Sequence, residues 1–170
     1  MMHWTRLIFL SRAILLLVLF SLPERAIGQS LAYRTLLSGI YEKDFPLIYP
    51  DEVEDLDKFQ ILDTREWVEY QVSHLPGAIW VGYDTFSLEN LKRIDKNKPV
   101  IVYCSVGARS QEVGKKLRSA GFLEVYNLYG GIFHWVNEEN PIVSQREATD
   151  RVHTYSKTWS IWLNKGQKVY

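Results

Sequence analysis

The chain has 170 residues, of which 46% are hydrophobic, and this size allows one domain with a single core. Lys plus Arg and Asp plus Glu each number 20, so no broad basic field is available to neutralise nucleic-acid phosphates. The single cysteine excludes an intramolecular disulfide and a cysteine-based structural zinc site. We therefore expect one globular domain that does not bind nucleic acid.

The N-terminal residues have the pattern of an export signal. Arg6 and Arg12 precede the apolar run 13–20, and residues 26–28 (Ala-Ile-Gly) offer small side chains where a signal peptidase reads. An apolar run of about 20 residues, the length that spans a membrane, would have to include Arg12. We expect residues 1–28 to be a cleaved signal peptide and the protein to be periplasmic or in the cell envelope. The alternative is a retained inner-membrane anchor.

The following segment, residues 29–49, is predicted to lead into the domain. Leu36, Leu37 and Ile40 recur at helical spacing, which predicts a short amphipathic helix over 31–41, followed by an extended stretch. The acidic residues within 51–57 are interpreted as a short surface helix, whose carboxylates favour solubility and the helix dipole rather than a metal.

From residue 59 onwards, short apolar runs alternate with amphipathic segments. Strands are predicted at 59–62, 78–81, 100–103 and 125–128, and helices at 66–72, 88–94 and 109–120, with a last helix around Trp135. This alternation is typical of an α/β domain with a mainly parallel sheet and helices on both faces.

The tail, residues 142–170, carries aromatic residues at helical spacing. They are Tyr155, Trp159 and Trp162, with Leu163 beside them. We expect this face to pack back onto the domain. The alternative is that it binds a partner.

Cys104 directly follows the predicted strand 100–103, at the edge where α/β sheets bind ligands. The next residues are mostly small, so the backbone can curl around the sulfur and turn its N–H groups inward; they are Ser105, Val106, Gly107 and Ala108. The N-terminus of the next helix and Arg109 would favour the thiolate. The alternative for a lone cysteine is a small buried hydrophobe.

The string 104–110 (Cys-Ser-Val-Gly-Ala-Arg-Ser) resembles the active-site loop of rhodanese-like domains, which begins with the catalytic cysteine and ends with an arginine. Three further strings follow the order of that family, namely 62–66 (Leu-Asp-Thr-Arg-Glu), 74–78 (His-Leu-Pro-Gly-Ala), and 130–132 (Gly-Gly-Ile) with Trp135. The resemblance spans about residues 50–141. Its departures are Ser73, where the family commonly has glycine, and the unusually long tail.

The resemblance implies a rhodanese-like fold and covalent transfer of sulfane sulfur from a donor such as thiosulfate, through a persulfide on Cys104. Arg109 and the loop amides 105–108 would bind the anionic donor and the persulfide, or Arg109 would only fix the loop. Asp63 and Arg65 resemble structural strand-end residues joined by a salt bridge.

The expected partners of such a site are a small anionic sulfur donor and a thiol, cyanide-like or protein acceptor. Neither a cofactor nor a metal is expected, because the four histidines are scattered and His3 lies in the signal segment. A membrane would be contacted only through an uncleaved signal segment.

Two other functions stay open at this point. A cysteine phosphatase or arsenate reductase also places a cysteine and an arginine at the ends of an anion-binding loop, but that loop is one residue longer than the one between Cys104 and Arg109. A rhodanese-like module without catalysis would serve in docking or regulation, since a fold does not establish an activity. The presence of both Cys104 and Arg109 argues against that module.

Overall fold

A computed structural model describes residues 24–170 and, within them, the side chains of residues 31–89 and 91–170. The predicted signal peptide, 1–28, therefore lies mostly outside the described residues. The chain divides into a unit that ends at Leu36 and a second unit, Leu37–Tyr170, that contains the sheet and the predicted site. No helix among the described residues is long and apolar enough to cross a membrane.

The N-terminal helix, α1 (Glu24–Ile40), begins earlier than the predicted residue 31. Leu37, one of the residues of the predicted apolar stripe, is fully buried. The predicted acidic helix is wrong, because the stretch forms two 3-10 helices, Pro50–Glu52 and Leu56–Lys58. Carboxylates of Glu52 and Asp55 accept the backbone N–H groups of Tyr49 and Asp57, respectively, so they cap turns.

Five parallel strands form the central sheet in the order β1-β5-β4-β2-β3. They are β1 (Leu47–Ile48), β2 (Gln60–Asp63), β3 (Ile79–Trp80), β4 (Val100–Tyr103) and β5 (Val125–Leu128). The predicted parallel sheet is confirmed, with β4 and β5 at their predicted bounds. Strand β1 was missed, because two residues within the lead-in carry no strand pattern of their own.

Three helices of the domain also follow the predicted order. They are α2 (Trp67–Val72), α3 (Ala108–Ser119) and α4 (Gly131–Asn137). The helix predicted at 88–94 is a 3-10 turn, Leu88–Leu91, capped by the Ser87 side chain. This turn buries Leu91 in the core, and Ile94 beyond it packs against the same core. The two residues therefore have helical spacing without belonging to a longer helix.

Strand β4 is buried on both faces of the sheet. Val100 and Val102 pack in a cluster with Val113 and Leu117 of α3. Ile101 and Tyr103 alternate to the opposite face and are equally buried, because successive side chains of a strand point to opposite sides. A strand with two buried faces is a continuous apolar run, so its bounds were predictable.

The tail forms strands rather than an aromatic helix. Strands β6 (Ile142–Ser144) and β7 (Glu147–Thr149) are an antiparallel hairpin, and β8 (Arg151–His153) pairs in parallel with β9 (Gln167–Val169). The helical spacing predicted for the tail is wrong beyond one 3-10 turn, Trp159–Trp162. Tyr155 adopts a left-handed backbone, φ 63°, which interrupts any helix at that position.

A buried network built on one ion pair joins the carboxyl ends of β2 and β4. Arg65 Nη2 lies 2.6 Å from Asp63 Oδ2, and both side chains are fully buried, which confirms the predicted salt bridge. Tyr103 donates its hydroxyl hydrogen to the same carboxylate at 2.6 Å and accepts the N–H of Leu75 at 3.1 Å. Arg65 also donates to the carbonyl of Ser73. The network holds the turn 74–78 against the two strand ends that precede the predicted site.

Candidate active site

Cys104 is the first residue after β4 and is only 1% exposed. The loop continues through Ser105, Val106 and Gly107, and α3 begins at Ala108. The predicted site residues 104–109 thus lie between the carboxyl end of a central strand and a helix N-terminus, the location expected for ligand binding in such a sheet.

All four carbonyl groups of the loop 104–107 accept hydrogen bonds from groups outside the loop. The first two bind the N-terminal N–H groups of α4, because Ile132 donates to the carbonyl of Cys104 at 2.9 Å and Phe133 to that of Ser105 at 3.2 Å. A Cβ at Gly131 would overlap the carbonyl oxygen of Cys104, so this approach of α4 needs glycine.

The other two carbonyls bind side chains. Tyr41 donates its hydroxyl hydrogen to the carbonyl of Val106 at 2.6 Å, and Asn127 Nδ2 donates to that of Gly107 at 2.9 Å. Tyr41 also accepts the N–H of Gly130 at 2.7 Å, and burial raises its pKa far above the usual range, so the phenol stays protonated as a donor. The N–H and C=O groups of a trans peptide point in opposite directions. Because the carbonyls of the loop are bound on its outer side, its N–H groups are available to face the sulfur.

The sulfur of Cys104 already receives one of these N–H groups. The Gly107 nitrogen lies 3.1 Å from Cys104 Sγ. Gly107 has a φ of 101°, and a Cβ there would overlap the hydroxyl of Tyr41, so both backbone conformation and space require glycine. The first-turn N–H groups of α3 have no intrahelical partner and add their dipole at the same point. The arrangement can therefore stabilise negative charge on or beside the sulfur.

Arg109 forms a bidentate ion pair with Glu69 of α2. Its Nη1 lies 2.8 Å from Glu69 Oε2 and its Nη2 lies 3.0 Å from Oε1. Ser105 Oγ joins the pair, because it accepts from Arg109 Nη2 at 3.2 Å and donates to Glu69 Oε1 at 3.1 Å. This geometry supports the loop-fixing role of Arg109, since its terminal nitrogens hold both ends of the loop to α2.

The charges of this pair stabilise each other. Burial opposes the ionisation of Glu69, which is 1% exposed, but the hydrogen bonds and charge of Arg109, with the charge of Arg65, hold the pKa of Glu69 below its usual range. Burial likewise opposes the charge of Arg109, and its bond to Glu69 outweighs this and raises its pKa. Both groups are therefore ionised at neutral pH.

Three residues at the site were not found by sequence analysis, namely Tyr41, Glu69 and Asn127. Tyr41 follows α1 and precedes the resembling segment, and Asn127 lies in an apolar strand. Glu69 carries no sequence signal either, because Trp67 and Val68, the apolar residues beside it in the helix, are exposed while the carboxylate is buried. Two histidines lie elsewhere, since His74 stacks on Tyr70 and His134 packs against Tyr129, whereas His153 lies in β8, which packs against α2.

Residues 50–138 match the family model of the rhodanese-like domain. The chain therefore belongs to the rhodanese-like domain family, as the strings around Cys104 predicted.

Its relatives include proteins named as sulfurtransferases. The chain is 39% identical over 75 residues to a thiosulfate sulfurtransferase (GlpE) of Coxiella burnetii, a match that covers 44% of this chain and 69% of that protein. It is 32% identical over 99 residues to a probable adenylyltransferase/sulfurtransferase (MoeZ) of Mycobacterium tuberculosis, which covers 55% of this chain.

A similar solved structure is that of a thiosulfate sulfurtransferase from Pseudomonas aeruginosa. The TM-score is 0.56 at 27% identity, and the match covers 69% of this chain. The matched region is 23% of the Pseudomonas protein and 25% of the Mycobacterium protein. Both proteins are therefore much longer than the part that they share with this chain.

We predict that Glu69→Gln destabilises the protein by about 2 to 4 kcal/mol, because it leaves the Arg109 guanidinium partly buried without its counter-charge. Glu66→Gln is the matched control, since Glu66 lies 4.0 Å from the same guanidinium and its side chain is far more exposed. That change should cost less than about 1 kcal/mol. Urea unfolding followed by circular dichroism measures both.

The stability difference between the parent and Glu69→Gln should also depend on pH. Because the folded-state pKa of Glu69 is lowered, its contribution is complete above the unfolded value of about 4.3 and is lost as the pH falls toward the folded value. A difference that is the same at pH 7 and pH 3, or equal losses from both substitutions, would contradict this account of the pair.

Proposed function

We propose that this chain is a sulfurtransferase that carries sulfane sulfur as a persulfide on Cys104. The observation that carries the proposal is the loop 104–107, whose carbonyls are all bound from outside while the Gly107 N–H donates to the Cys104 sulfur. Membership of the rhodanese-like family and the sulfurtransferase names of its relatives support it.

The proposed reaction has two displacement steps. With thiosulfate as donor, the Cys104 thiolate attacks the outer sulfur, the sulfur–sulfur bond of thiosulfate breaks, and sulfite leaves with the bonding electron pair. A thiophilic acceptor then attacks the terminal sulfur of the persulfide. With cyanide the products are thiocyanate and the Cys104 thiolate. The negative charge that the protein carries stays on sulfur in both steps, where the inward N–H groups stabilise it.

The loop residues divide this work in the proposed mechanism. Ser105, Val106, Gly107 and Ala108 bind the donor and the persulfide through backbone N–H groups. Arg109 keeps those groups aimed at the sulfur through its ion pair with Glu69. The short loop favours this reaction over phosphoryl transfer, because an amide that lies 3.1 Å from the cysteine sulfur leaves little room for a tetrahedral group.

We predict that incubation with thiosulfate adds the mass of one sulfur atom to the protein and that cyanide removes it. Cys104→Ser should abolish both the added mass and thiocyanate production, because a serine hydroxyl cannot form a persulfide. Intact-protein mass spectrometry measures the first, and a colorimetric thiocyanate assay the second.

Ser119→Ala serves as the control, since Ser119 is exposed at the far end of α3, and it should load and turn over like the parent. An unchanged mass in the parent, or substantial turnover by a folded Cys104→Ser protein, would contradict the proposal. Hydrolysis of a phosphate ester by the parent would favour the phosphatase instead.

We also propose that the protein acts in the periplasm or cell envelope after its signal peptide is removed. Arg6, Arg12 and the apolar run 13–20 support this. The mass of the protein isolated from an envelope fraction should correspond to a start at Gln29. An intact Met1 would contradict cleavage and favour the membrane anchor.

A further inference from the structure

The C-terminal tail reaches the proposed site through β8, which packs against α2, the helix that carries Glu69. The segment is firmly anchored. Val152 and Thr154 are fully buried, and the Thr154 N–H donates to the carbonyl of Val169 at 2.9 Å beyond the β8–β9 pairing. The family match ends at residue 138, so this part of the site lies outside the shared domain.

Tyr155, the residue next to this anchor, covers Arg109. The guanidinium carbon of Arg109 lies 5.2 Å from the centroid of the Tyr155 ring. Tyr155 has a φ of 63°, a conformation that costs free energy for a bulky side chain, and its N–H donates to His153 Nδ1 at 3.1 Å. The side chain is nevertheless 58% exposed, so burial in the core does not offset the free-energy cost of this backbone conformation. Strain of this kind is typical of functional surfaces.

Arg109, the cation next to the Tyr155 ring, is neutralised by the carboxylates around it. Arg109 is the only charged residue between Cys104 and Ser110, and Glu69 neutralises it. Glu66 lies 4.0 Å from the same guanidinium and adds a negative charge. Burial lowers the pKa of His153, so its imidazole is neutral at pH 7. What this side offers to an incoming molecule is an aromatic ring.

We propose that Tyr155 is a specificity-determining residue, whose ring forms an aromatic wall that favours organic thiols and their persulfides over small inorganic anions. This rests on the proposed sulfur transfer. The ring contacts the carbon chain of the organic substrate. Thiosulfate has no carbon atom, and cyanide is too small to contact the ring. In the favoured step an organic thiolate attacks the terminal sulfur of the Cys104 persulfide, and the organic persulfide leaves as the Cys104 thiolate re-forms.

The test follows the discharge of the persulfide, so that loading and acceptor choice are read separately. The protein is first loaded with excess thiosulfate, and the rate of sulfur loss is then measured with glutathione and with cyanide. Tyr155→Asn should lower the second-order rate constant for glutathione by about tenfold, which corresponds to the loss of apolar contact equal to about two buried CH2 groups. The constant for cyanide should stay within about twofold, because cyanide is too small to contact the ring.

Asparagine is chosen because it tolerates the left-handed backbone, so the variant keeps the turn. Tyr155→Phe keeps the ring and should retain the parental preference. Tyr170→Asn is the matched control: Tyr170 is equally exposed, lies in the same tail, and its hydroxyl contacts Ser160. It should change neither rate constant.

Equal loss with both acceptors would overturn the proposal and show that Tyr155 acts only by positioning Arg109. Unchanged constants in Tyr155→Asn would overturn it as well. A parent that gains no sulfur on loading would instead refute the proposed function itself.

Discussion

The site depends on one constraint, which is that the four carbonyl groups of the loop 104–107 are turned away from the sulfur. Each carbonyl is bound by a donor outside the loop, two of them by the N-terminus of α4 and the others by Tyr41 and Asn127. A backbone with its carbonyls fixed on one side presents its N–H groups on the other. The chemistry proposed for Cys104 requires just such a surface, because its charge never leaves sulfur.

The donors that impose this constraint come from distant parts of the chain, and the fold holds them in place. Parallel pairing brings Asn127 of β5 next to β4, and the Asp63–Arg65–Tyr103 network fixes the end of β4 from the opposite side. Glu69 then ties Arg109, and with it the start of α3, to α2. The ion pair therefore contributes to function through geometry more than through a free positive charge.

Sequence reasoning was most accurate where the signal is local. The buried strand β4 and the helix α3 follow from short-range patterns, and the string 104–110 identified the loop and its family. The partners that orient the loop could not be derived in this way, because Tyr41 meets Val106 across 65 positions and Glu69 meets Arg109 across 40. The helix predicted in the tail was wrong for the same reason, because β8 pairs with a strand that begins only at Gln167.

The central claim is that backbone N–H groups, oriented by the bound carbonyls, hold the sulfur that Cys104 carries. A high-resolution crystal structure of the thiosulfate-loaded protein tests it most directly. The account predicts a terminal sulfur on Cys104 within hydrogen-bonding distance of several loop N–H groups, with all four carbonyl bonds and the Arg109–Glu69 pair intact. A terminal sulfur held instead by an Arg109 released from Glu69, or a loop with carbonyls turned inward, would contradict it.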